Sequence, residues 1–259
     1  MHESEAGILR IECRGDRLTI LHLSCGSIAR EVQPGQFVQV RVSDGSDPFL
    51  RRTFSVYDAD VERGTFSLMV DMIGPGTEKL CRQNRTRTVS VIGPLGRSFD
   101  FREVADAPVW YVAGGVGAAP LLFLAHTLQG RGSSGHTMFF GARDRLTHAL
   151  YDHLFGDVPR VLFSSDDGSV GYHGFVSELL EKELQHERPA VMYVCGPHPM
   201  MKAVAAIALR NDIPCQVSLE ERMACGIGAC YGCAVPLVDG RMVRSCVDGP
   251  VFDAREVAW

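Results

Sequence analysis

Four short apolar runs constrain this chain most: "VWYVAGG" (Val109–Gly115), "TMFFGA" (Thr137–Ala142), "VLFSS" (Val161–Ser165) and "VMYVCG" (Val191–Gly196). They do not alternate apolar with polar, and helix-like segments such as "APLLFLAHTLQ", "VSELLEKELQHE" and "PMMKAVAAIALRN" lie between and after them. A strand apolar on both faces needs cover on both, and helix-separated strands of this kind pair in parallel. The expectation is a doubly wound parallel-sheet domain over residues 103–215.

The chain on either side has a different texture. Residues 1–102 carry short alternating segments, "FVQVRV" (Phe37–Val42), "TFSLMVDMI" (Thr65–Ile73) and "TVSVIG" (Thr88–Gly93), split by turn signals such as "QPGQ" and "GPGT". That spacing predicts an antiparallel β-barrel or sandwich. Residues 216–259 hold a cysteine cluster and no long periodic element, so a small third domain there needs a staple to be ordered.

Composition narrows the partners. A net charge of −5 gives no reason to expect nucleic acid or an anionic membrane. No apolar run approaches a membrane span, and "MHESEAGILRIECRGDRL" puts charges where a signal peptide needs an apolar core. Nine cysteines, an odd number concentrated near the C-terminus, fit reduced thiols of a cytoplasmic protein better than a disulfide framework. Cys13, Cys25, Cys81, Cys195 and Cys215 stand singly and read as buried small hydrophobes.

Four stretches carry chemistry. Cys225, Cys230, Cys233 and Cys246 follow C-x4-C-x2-C-x12-C, which begins as the plant-type [2Fe–2S] spacing does. Small residues between them let a loop wrap a cluster closely and aim backbone N–H groups at its sulfurs. Four cysteines also suit a structural zinc site, although only Cys230 and Cys233 have the knuckle spacing that zinc sites favour. "GGVGAAP" (Gly114–Pro120) joins an apolar strand to a helix, with Gly114, Gly115 and Gly117 suited to a pyrophosphate at a helix N-terminus. "CGPHPMM" (Cys195–Met201) makes a second such turn, through Cys195, Gly196 and Pro197. Two turns at one end of a parallel sheet define a ligand crevice. "RRTFSVYD" (Arg51–Asp58), with "GPGT" (Gly74–Thr77) downstream, combines an arginine, an aromatic and a serine on one strand, as a phosphate and a ring would require.

Together these stretches resemble the ferredoxin–NADP reductase superfamily: "RRTFS" its R-x-[YF]-S motif, "GGVGAAP" its G-G-x-G-x-x-P motif and "CGPHPMM" its C-G-P-x-x-M motif. Within it, "SLEERMACGIGACYGCAV" and "CVDGPVFDA" are similar to the cluster segment of the electron-transfer subunits of class 1B dihydroorotate dehydrogenase. The resemblance covers essentially the whole chain. It implies an N-terminal antiparallel flavin-binding β-barrel, an NAD-binding α/β domain and a small C-terminal [2Fe–2S] domain. Arg52, Thr53, Phe54 and Ser55 are then expected to hold FAD, with Met69, Val70 and Asp71 on the next strand and Gly76 and Thr77 at its phosphates. The four cysteines are expected to ligate the cluster. Thr53 departs from the family, which usually has Pro there. The resemblance further implies a relay to NAD+ from an FMN-containing catalytic subunit that oxidises dihydroorotate in pyrimidine biosynthesis, in a heterotetramer of two of each. No catalytic acid–base pair is expected in this chain. Asp166 and Asp167 of "SSDDGS" would repel a 2′-phosphate, favouring NAD over NADP. Three alternatives stay open: the small subunit of a ferredoxin:NADP oxidoreductase or sulfhydrogenase, a zinc-stapled nucleotide-binding module, and a self-contained NADH oxidase. In the ferredoxin:NADP subunits the first cluster ligand is typically an aspartate, where this chain has Cys225.

Overall fold

The computed structural model describes residues 1–43, 45, 47–82, 88–102, 104, 107–132 and 135–259. The N-terminal lobe contains β1 (His2–Arg14), β2 (Leu18–Ser24), α1 (Gly26–Glu31), β3 (Phe37–Val40), β4 (Arg52–Asp60), β5 (Thr65–Asp71), α2 (Pro75–Cys81) and β6 (Thr88–Leu95). Its strands close into an antiparallel barrel in the order β1-β2-β5-β4-β3-β6. Alternation selects the inner face: Leu21, Leu23, Val38, Val40, Val56, Leu68, Val70, Val89 and Val91 fill the interior. On β3 this leaves Phe37 and Gln39 pointing outward, yet they are 2% and 1% exposed because another lobe covers them.

The expected boundary between residues 102 and 103 touches residue 103, which lies outside the described residues. The second lobe contains β7 (Val109–Gly114), α3 (Ala118–Gly130), β8 (His136–Ala142), α4 (Arg145–Ala149), β9 (Arg160–Ser165), β10 (Tyr172–His173), α5 (Val176–Glu183), β11 (Val191–Cys195), α6 (His198–Arg210) and β12 (Cys215–Ser218). Alternate residues of each central strand feed separate cores on the two sheet faces: Tyr111, Phe140 and Tyr193 on one, Trp110, Phe139 and Met192 on the other. The first core also takes in Leu18, Ile20 and Met69 from the outside of the barrel, which joins the two lobes.

The remaining elements are β13 (Ala234–Pro236), β14 (Met242–Arg244), α7 (Ser245–Asp248) and β15 (Val251–Asp253). The large sheet runs β10-β9-β8-β7-β11-β12-β15. Its neighbours pair in parallel except β15, which runs antiparallel to β12 with Phe252 opposite Val217. The expected boundary between residues 215 and 216 therefore falls inside β12, and the last strand of the cysteine-rich segment belongs to the nucleotide-domain sheet. From β7 the chain steps outward to β8 and β9, then returns to β11 on the other side of β7. The point where strand order reverses thus lies between β7 and β11, and open α/β sheets bind ligands at the strand C-termini there. Among the described residues no helix is long and apolar enough to cross a membrane.

Of the five single cysteines, Cys81, Cys195 and Cys215 are buried, but Cys13 is exposed and Cys25 half-buried, which corrects the expectation for those two. Among the described residues the far end of β1, with Cys13, pairs with β2 alone.

Phe252 ties the C-terminal segment into the second sheet core at 7% exposure. Phe252→Ala is expected to destabilise the protein by about 3 kcal/mol through the lost packing and the cavity left behind. A lower midpoint in urea unfolding followed by far-UV dichroism checks it; an unchanged midpoint would show that β15 is not a structural tie.

Candidate functional site

The two glycine turns sit side by side because β7 and β11 pair in register, Ala113 opposite Cys195. A Cβ on Gly117 would stand 2.4 Å from the Cys195 carbonyl oxygen, so only glycine lets the turns approach this closely. Beside them a cleft of about 670 Å³ opens between barrel and sheet. Of the residues expected at FAD, Arg52, Thr53, Phe54, Ser55, Met69, Asp71, Gly76 and Thr77 line it. Val70 does not: it is fully buried inside the barrel, because successive residues of β5 point to opposite faces. The Arg52 guanidinium donates to the Leu50 carbonyl at 2.6 Å and lies so close over Gly76 that a Cβ there would stand 2.7 Å from its Nε. Arg17 pairs with Asp71 in a two-pronged contact of 2.5 and 2.7 Å, which holds a negative charge at the cleft wall.

The sequence reading missed part of this cleft. Phe37, Val116, Ala119, Leu219–Met223 and Pro250 also line it. The residues after Ser218 follow the C-terminus of β12, and that position was the available signal. Cys195 Sγ donates to Glu220 Oε1 across 4.0 Å. Glu220 opens onto the cleft, yet the surrounding walls strip enough water that desolvation raises its pKa above the usual carboxylate value, with the Asp71 charge adding to the effect. Burial pushes the Cys195 thiol well above its ordinary range, which leaves it an unreactive packing group. At the end of β9 the Asp167 carboxylate accepts from the Ser169 amide at 2.9 Å and is held below its usual pKa by Ser169. The sequence segment lacks an arginine, but Arg145 reaches it from α4 and donates to the Ser169 carbonyl at 2.6 Å.

The four clustered cysteines form two pairs. The Cys230 amide donates to Cys225 Sγ at 3.4 Å, and the Cys246 amide to Cys233 Sγ at 3.5 Å. Cys225 and Cys230 lie toward the surface, whereas Cys233 and Cys246 are each 2% exposed and pack on Phe37 and Leu95 of the barrel. Desolvation raises the Cys225 pKa, but amides of Ile227, Cys230 and Ala229 outweigh it and bring the thiol down to about 6. Burial first, then its Cys233 neighbour, push Cys246 up to about 12. Arg244 closes the loop: it donates to the Gly228 carbonyl at 3.0 Å and lies 5.1 Å over the Tyr231 ring. Among the described residues no three His, Cys, Asp or Glu side chains are arranged around a single metal ion. Two thiol pairs with backbone amides on the sulfurs suit a two-iron cluster, which takes two thiolates per iron.

Residues 220–258 match the iron–sulfur cluster binding domain of dihydroorotate dehydrogenase B, and residues 111–206 match an oxidoreductase NAD-binding domain. An electron transfer subunit of dihydroorotate dehydrogenase B (NAD(+)) from Desulforamulus reducens is 36% identical over 258 residues, 98% of each chain. One from Geobacillus kaustophilus is 37% identical over 237 residues, 90% of each. The chain belongs to this family of electron transfer subunits. The structure of an NADH-dependent reduced ferredoxin–NADP oxidoreductase superposes with a TM-score of 0.87 at 30% identity, covering 99% of this chain and 90% of that one. Phthalate dioxygenase reductase, at TM-score 0.65 and 19% identity, shares the fold. The chain is thus an oxidoreductase's electron-transfer subunit with an iron–sulfur cluster binding domain and an NAD-binding domain.

Removing the arginine that clamps the α2 turn should loosen the cleft for an anionic ligand. Arg52→Ala is expected to lose most of its FAD on gel filtration while keeping its iron and sulfide. A full flavin complement after the column would show that Arg52 does not hold the cofactor.

Proposed function

We propose that this chain passes electrons from the FMN of a catalytic dihydroorotate dehydrogenase subunit to NAD+, with the cluster on Cys225, Cys230, Cys233 and Cys246 and FAD in the cleft lined by Arg52–Ser55. The observation that carries the reading is the double contact of Phe37, which lines the cleft and packs against Cys233 and Cys246. One side chain of β3 borders both the cleft and the buried cysteine pair, which supports a short path between the two proposed sites.

When bound, the cluster supplies one-electron transfer and the flavin couples it to two-electron hydride chemistry. The chain's residues do the rest. The cysteines hold the irons, and amides around Cys225 stabilise negative charge on its sulfur. Phe37 and Leu95 exclude water from the buried pair. Arg52, Gly76 and Thr77 take the flavin phosphates, while Thr53 and Ser55 contribute from β4. Gly114, Gly115 and Gly117 with Cys195, Gly196 and Pro197 form the crevice for NAD, and Asp166 and Asp167 disfavour a 2′-phosphate. Cys225 in place of an aspartate favours this family over the ferredoxin:NADP subunits. The working assembly is a heterotetramer of two subunits of each kind in the cytoplasm, with the barrel serving flavin, the large sheet including β12 and β15 serving nucleotide, and the cysteine lobe between those two strands serving the cluster.

Cys230→Ser is expected to abolish the iron–sulfur absorbance and leave FAD bound, because the two sites use different residues. A complete iron–sulfur spectrum in that variant would remove Cys230 from the ligand set. Co-purified with its FMN subunit, the chain should support dihydroorotate-dependent NAD+ reduction and give none alone; turnover by the isolated chain would contradict the division of labour.

A further inference from the structure

Gln39 is a polar side chain at 1% exposure on the outer face of β3, directly opposite Thr53 of β4. Its Nε2 donates to the Thr53 hydroxyl oxygen at 3.1 Å. The same carboxamide faces the cluster loop. Gly226 has φ +67°, and a Cβ there would stand 2.4 Å from Gln39 Nε2 and 2.6 Å from Cδ. The Gly226 backbone therefore rests flush on the carboxamide, and it is the residue that follows Cys225. Thr53 lines the cleft. One buried amide thus touches both the cleft strand and the peptide carrying the first cysteine of the cluster loop.

We propose that Gln39 and Thr53 form a positioning brace that seats the Cys225 arm of the cluster loop against the flavin strand, a proposal that rests on the four cysteines being the cluster ligands. The hydrogen bond fixes the Gln39 rotamer, and the fixed carboxamide is the surface on which Gly226 sits. Without the Thr53 hydroxyl a buried N–H loses its acceptor, so the side chain turns to find another and the seat is lost. Thr53 stands where the resemblance places Pro, and proline has no hydroxyl to accept this bond.

The test uses the holo-protein and follows the bleaching of cluster absorbance in excess EDTA, with FAD content and the reduced-state EPR spectrum measured on the same samples. Thr53→Val is expected to speed cluster loss about fivefold, the ratio that corresponds to one buried hydrogen bond; the FAD control is Gln39→Met, whose side chain does not line the cleft and whose FAD content should stay unchanged. Thr53→Ser should restore the wild-type rate. Gln39→Met, which keeps the bulk and removes the amide, should match Thr53→Val, and the double variant should be no faster than either; Gln39→Met decides the matter if Thr53→Val does not accumulate. Loss at the wild-type rate in Gln39→Met, failure of serine to rescue, or loss of FAD from Gln39→Met would overturn the brace alone. Wild-type protein without iron and sulfide would overturn the cluster reading and the brace with it.

Discussion

Strand β3 is buried on both faces, and the arrangement of the redox sites depends on that. Its inward residues, Val38 and Val40, belong to the barrel core. Its outward residues, Phe37 and Gln39, would be solvated in a free barrel, but here they are the floor on which the cysteine lobe sits. Burying Phe37 against Cys233, Cys246 and Leu95 contributes on the order of 2 kcal/mol. It also fixes where the buried cysteines lie relative to the cleft. A lobe with so little regular structure has few other ways to hold a fixed position.

The second tie is the sheet. β15 adds antiparallel to β12, so the chain after the cysteines returns to the sheet edge beyond β12. Pro250 and the residues after Ser218 consequently line the cleft. The cleft is built from all three parts of the chain: β4 and the α2 turn on one wall, Val116 and Ala119 on another, and Leu219–Met223 on the third. Strand order reverses between β7 and β11, which places the crevice between the two glycine turns beside that cleft at one end of the sheet.

Much of this was legible in the sequence for identifiable reasons. The apolar runs from Val109 to Gly196 reveal a doubly covered sheet because no other environment takes both faces of a strand. The cysteine spacing points to an iron–sulfur domain because ligand geometry dictates chain separation, and residues 220–258 match such a domain. What stayed hidden depends on contacts between distant segments. Alternation says that Phe37 and Gln39 face away from the barrel interior, not that a lobe covers them. A three-residue strand such as Val251–Asp253 is too short to show a period. The same alternation that put Val70 on the flavin strand turns its side chain inward, and Arg145 reaches the Asp167 loop through folding alone.

The most direct test of the account is a visible absorption and reduced-state EPR spectrum of anaerobically purified protein, with iron, sulfide and FAD assayed on the same sample. The account predicts one [2Fe–2S] equivalent per FAD and a rhombic signal on reduction. Zinc bound to the cysteines, with neither iron nor flavin present, would contradict it.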